Sequence, residues 1–172
     1  MIRKITLLLL FFIFSIVQVQ AQNPIYKTID SLKIALKQTK GDSEKAVLLT
    51  KLSSYSEYIG PDEAINYAKK ALYYAQKTNN EKQIGDTYGN LGTAYEIKSD
   101  YAHSLKNLYK ALAIYESLND IKSLTTVYNN IGLIYIDLKN YKQGLVFYNK
   151  ALDLSYKFKK ERNISLLLNN IG

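Results

Sequence analysis

The sequence predicts an all-α protein built as an α-solenoid, a superhelical stack of antiparallel helix pairs. Three features predict it. Residues 84–123 align over residues 124–163 without a gap, a period of 40. Within each copy the apolar residues recur at steps of three and four, the spacing of one helix face. Three slots in each copy hold only small residues, which lets two helices cross closely. Repeats of this length are single supersecondary units that bury a continuous core only when stacked.

The elements follow in chain order. Residues 1–21 read as a cleaved signal peptide: Arg3 and Lys4 open it, an apolar run extends from Ile5 to Val17, and Val19 and Ala21 place cleavage after Ala21. That run would reach only about 20 Å as a helix, short of the roughly 30 Å of a bilayer core, which argues against a membrane anchor. Export is therefore expected, to the periplasm or another extracytoplasmic space. Residues 26–39 form a helix with Ile29, Leu32 and Leu36 on one face, expected to cap the stack, and Gly41-Asp42-Ser43 ends it. The array then fills 44–172, with repeats at about 44–83, 84–123 and 124–163 and a partial fourth over 164–172. In the first repeat Gly60-Pro61 opens the second helix, where Asp62 and Glu63 suit the helix dipole. Asp100 and Asn140 occupy the equivalent N-cap positions one and two copies later. Upstream of Pro61 the first copy slips by one residue.

The recurring small residues are Ser53, Ala64 and Ala71, then Gly92, Ser104 and Ala111, then Gly132, Gly144 and Ala151. A glycine inside a helix costs about 1 kcal/mol relative to alanine. Its return at one slot implies close packing that offsets the cost.

The patterns Tyr88-x2-Leu91-Gly92-x2-Tyr95 with Ser104-x3-Leu108-x2-Ala111, and Tyr128-x2-Ile131-Gly132-x2-Tyr135 with Gly144-x3-Tyr148-x2-Ala151, resemble the tetratricopeptide repeat. Tyrosine stands where that family usually has tryptophan, Glu116 and Tyr156 stand in place of its closing proline, and the period of 40 matches a longer-repeat branch. The resemblance implies that the first helix of each pair lines a concave surface that binds a peptide or protein. It also implies a kinship with the extracytoplasmic part of bacterial sensors, in which a membrane helix and a histidine kinase or helix-turn-helix domain follow.

Little in the sequence points to catalysis, and a non-enzymatic protein without cofactor or metal is expected. Having no cysteine excludes disulfides, thiolate metal sites, a cysteine nucleophile and an acylated cysteine anchor. The single histidine, His103, lies in a first helical turn without partners at metal-ligand or acid–base spacing. Asp62-Glu63 is a helix-start pair rather than a catalytic dyad. Asn163-Ile164-Ser165 matches a glycosylation acceptor but falls where a helix begins. The net charge of +8 becomes +6 on signal cleavage (21 basic minus 15 acidic), and the lysines spread over outward faces, the pattern of a solvated surface rather than a nucleic-acid site.

The asparagines carry the candidate site. Asn90, Asn130 and Asn170 precede the Leu/Ile-Gly pair in successive copies, and Asn129 and Asn169 form a second row. Asparagine is a poor helix former, so propensity does not explain the recurrence. One amide offers donors and an acceptor, which suits either the backbone of a bound peptide or a bridge between neighbouring helices. The family's basic clamp for a C-terminal carboxylate finds no match, because Thr126 and Asn130 stand where it needs Lys or Arg. Ile164, Leu167, Leu168 and Ile171 form an apolar stripe, so the chain is expected to be a fragment whose missing C-terminal part carries any membrane attachment. Partner binding in the groove, the input half of a signalling protein, and a self-assembling scaffold are the three functional expectations.

Overall fold

A computed structural model describes residues 23–159 and 161–171; the expected signal peptide and its cleavage point after Ala21 lie outside the described residues. These residues form eight helices and no strand: α1 (Pro24–Gln38), α2 (Asp42–Ser56), α3 (Pro61–Lys77), α4 (Glu81–Ile97), α5 (Tyr101–Ser117), α6 (Ile121–Asp137), α7 (Tyr141–Lys157) and α8 (Glu161–Ile171). The protein is an all-α solenoid. Helix α1 starts two residues before the sequence expectation because Asn23 caps it, its side chain accepting from the Ile25 N–H at 3.0 Å, and Pro24 fits the first turn.

Helices α3 to α7 are each 17 residues long and are separated by three-residue turns, which generates the 40-residue period. Each turn shares one feature. Its middle residue adopts the left-handed conformation: Asn79, Ser99, Asn119, Lys139 and Lys159 have φ between 50° and 60°. The Ser99 N–H donates to the Glu96 carbonyl at 2.7 Å and the Asp100 N–H to that of Tyr95 at 2.8 Å, a Schellman motif that recurs at Asn119-Asp120 and Lys139-Asn140. The last turn residue then caps the next helix, with Asn80, Asp100, Asp120 and Asn140 each accepting from a backbone N–H three residues on. None of the five left-handed residues is glycine, although a Cβ there costs about 1–2 kcal/mol. Lys139→Gly is therefore expected to stabilise the protein by about 1 kcal/mol, read as a higher denaturant midpoint. A lower midpoint would show that the left-handed turn is not the native one.

The small residues sit at the helix crossings, and all nine are buried. Between α2 and α3 the Ser53 hydroxyl donates to the Ala64 carbonyl at 2.9 Å, and between α4 and α5 the Ser104 hydroxyl donates to the Gly92 carbonyl at 2.6 Å. Between α6 and α7 both slots are glycine, and a Cβ on either would stand 3.1–3.2 Å from the other's carbonyl oxygen. The main apolar cluster then runs continuously through α5, α6 and α7, including Leu108, Ile131, Ile134 and Phe147.

Ile29 of α1 packs with Leu49, Leu52 and Ala71. At the other end, Leu167 of α8 is buried, Ile164 and Ile171 are half-buried, and Leu168 is exposed, so the expected stripe is not uniformly covered. Helix α2 touches α4, and α4 touches α6, across the repeat boundaries, whereas the outer helices α3, α5 and α7 have sparse mutual contact among the described residues. The layer α2–α4–α6 is thus the shorter, inner side of the stack, and it forms a concave face.

Candidate functional site

The concave face holds a groove of about 420 Å³ that crosses α2, α4 and α6. Helical spacing aligns Thr50 with Ser54, Gln83 with Asn90, and Thr126 with Asn130, one pair from each helix, along its walls. Most of the lining residues are of neutral polar type, and their apolar atoms contribute much of the surface.

Tyr115 enters the groove from the outer layer. Its ring, 4% exposed, lies against Gly85 of α4, where a Cβ would come within 2.9 Å of Cε1. Its hydroxyl donates to Asp86 Oδ1 at 2.9 Å. Burial and the Asp86 carboxylate push the phenol well above its ordinary pKa and keep it a donor. Lys82 pairs with Asp86 and, at 3.2 Å, with Asp120, and its Nζ lies 5.1 Å from the centre of the Tyr115 ring. This network joins α4, α5 and the start of α6. In the sequence Tyr115 reads as one more apolar helix position. The signal that separates it is the comparison between copies, since Ala75 and Ser155 occupy the same slot.

The asparagines divide. Asn90 directs both amide hydrogens at α2, donating to the Thr50 carbonyl at 2.9 Å and to Ser54 Oγ at 2.8 Å. It bridges two repeats and also lines the groove. Asn130 lines the groove as well, with a long contact from Nδ2 to Thr93 Oγ1 at 3.5 Å. Asn129 faces α8, its Oδ1 accepting from Asn170 Nδ2 at 2.8 Å, and Asn169 is exposed. The structure thus brings Asn90 and Asn130 into one groove and places Asn129, Asn169 and Asn170 apart from it.

Beyond the groove, the ends of α2, α4 and α6 carry three carboxylates in a row, Glu57 repelled by Glu96 and Glu96 by Asp137. Burial, reinforced by Glu96, pushes the Glu57 carboxyl up to about 7. A carboxyl whose folded pKa is raised binds its proton more tightly in the folded state, so stability falls as pH climbs from about 4.5 to about 7. Glu57→Gln removes that loss. With solvent screening of a half-buried group, the variant is expected to be more stable than the parent by about 1–2 kcal/mol at pH 8, with the difference vanishing near pH 4.5. Denaturant titrations at the two pH values check this.

His103 stays with its own helix cap, its Nδ1 lying 2.8 Å from Asp100 Oδ2 and its ring stacked on Tyr95. Among the described residues no three His, Cys, Asp or Glu side chains cluster closely enough to hold a metal ion. No helix among them is long and apolar enough to cross a membrane.

Two stretches, residues 85–121 and 125–158, match the tetratricopeptide repeat. A search of curated proteins returns no match. Among solved structures, aspartyl phosphate phosphatase F from Bacillus subtilis superposes with a TM-score of 0.76 at 19% identity, over 86% of this chain and 40% of that one. BtubC from P. vanneervenii gives 0.71 at 16%, over 87% and 65%. The TPR domain of Arabidopsis FLU gives 0.61 at 18%, over 65% and 95%. At these identities the likeness is one of fold, and the chain spans two fifths of the phosphatase.

Proposed function

We propose that this tetratricopeptide-repeat solenoid is an exported, non-catalytic scaffold that holds an extended segment of a partner protein in its concave groove. The observation that carries the reading is the groove itself: a trough crossing three successive inner helices, with an amide at its centre whose hydrogens are already used. Asn90 is left with its carbonyl oxygen as the group still free to accept, which suits a backbone N–H. Turns of three residues between 17-residue helices support placing the repeats in the longer branch of the family. Export is supported by the basic start and apolar run of residues 1–21. Recovery of a secreted form beginning at Gln22 tests that part.

The binding surface is tested by filling it. Thr126 is exposed in the groove, so Thr126→Trp should leave the fold intact and abolish partner binding. Unchanged binding in a variant that melts like the parent would refute the groove as the site.

A further inference from the structure

We propose that the groove's occupant is an extended acidic segment, crossing α4 at Gly89 with its side-chain carboxylates held by Lys51 and Lys122; this rests on the groove being the binding surface. The glycines of α4 separate into two kinds. A Cβ on Gly92 would meet Leu108 at 2.5 Å and one on Gly85 would meet Tyr115 at 2.9 Å, so packing requires both. A Cβ on Gly89 would find only the Tyr115 hydroxyl, at an ordinary 3.5 Å. Packing does not require glycine there, and Asn129 fills the same slot one copy later. Gly89 lies in the middle of a helix, where it is unfavourable, and it lines the groove. What its missing side chain provides is a lower floor, over which another backbone can approach closely.

The polar groups around that floor describe the visitor. Gln83 directs its amide nitrogen at Ser43 Oγ, 3.0 Å away, and its Oε1 is buried without a partner. Asn90 likewise has both N–H groups engaged on α2. With its N–H groups engaged, Asn90 turns an accepting oxygen to the groove, which suits the N–H groups of an extended chain, and Gln83 adds a second acceptor without a donor. The charges are equally one-sided. Asp86, the acidic residue in the lining, is taken by Tyr115 and Lys82. Lys51 and Lys122 are exposed in the lining, on α2 and α6, and make no ion pair among the described residues. Two uncompensated cations at the rims favour carboxylates on either side of the crossing point.

The test is selection of a displayed library of random ten-residue peptides on the purified protein. The selected peptides should be enriched in Asp and Glu, and their affinity should fall with added salt. Lys51→Glu combined with Lys122→Glu should weaken them about 10-fold or more while the helical signal is unchanged. Gly89→Ala should raise the melting temperature by about 2–4 °C and still weaken binding about 10-fold, a combination that misfolding cannot produce. Unchanged affinity in Gly89→Ala would overturn the close backbone crossing. Selection of basic or neutral peptides that Thr126→Trp still excludes would overturn the acidic partner and leave the groove reading standing. Peptides indifferent to Thr126→Trp, or none selected, would overturn both.

Discussion

Gly132→Ala combined with Gly144→Ala is expected to destabilise the protein by about 3 kcal/mol or more, because two helices that now touch backbone to backbone would be forced apart. A Cβ on Gly132 would stand 2.7 Å from Cδ1 of Tyr148, a ring that is 2% exposed, and 3.2 Å from the Gly144 carbonyl oxygen. A Cβ on Gly144 would stand 2.6 Å from Ile136 Cδ1 and 3.1 Å from the Gly132 carbonyl oxygen. Ile136 can swing its terminal methyl aside; the carbonyls and the enclosed ring cannot. Each substitution also gains about 1 kcal/mol of helix propensity, so the single variants should lose only about 1–2 kcal/mol each. The pair should lose more than the sum, since each new methyl presses on the other helix at the same crossing. Chemical denaturation of the four proteins in this cycle measures the coupling. Additive or stabilising values would mean that the two helices do not cross at these glycines.

Leu108→Ala is expected to cost about 2–5 kcal/mol, and Gly92→Ala in the same molecule should return part of that loss. Leu108 is fully buried in the main cluster, and its Cγ and Cδ2 would lie 2.5 and 2.6 Å from a Cβ on Gly92. Alone, Gly92→Ala drives a methyl into a branched side chain with no room to move, and it should destabilise by about 1–3 kcal/mol. With Leu108 shortened, the same methyl enters the cavity left behind and brings the helix propensity of alanine with it. The double variant should therefore be more stable than Leu108→Ala alone. A double variant less stable than either single one would contradict the contact.

Much of this architecture can be read from the residues. Apolar steps of three and four show the helices, and the small residues at 53, 92 and 132 show where the pairs cross, because both are local consequences of helix geometry. The caps at Asp100 and Asn140 are legible for the same reason. The turns are less so. Left-handed residues are normally announced by glycine, and here Ser99 and Lys139 take that conformation because the Schellman hydrogen bonds of a three-residue connection impose it. The asparagine rows show how the candidate site was only half visible. Sequence spacing puts Asn90 and Asn130 in register, but it does not tell which amide atoms are already engaged by the neighbouring repeat. Tyr115 and Gly89 do not stand out in the sequence, because each looks ordinary on its own helix. Their meaning appears only when α5 is laid against α4 and the copies are compared slot by slot.

The groove assignment has its most direct test in a comparison of faces. A photo-crosslinking amino acid placed at Thr126, on the concave side, should capture a partner segment, while the same group at Lys106, on the outer helix α5, should not. Capture from position 126 alone is the predicted result. Capture from position 106 with none from position 126 would place the partner on the convex side and contradict the account.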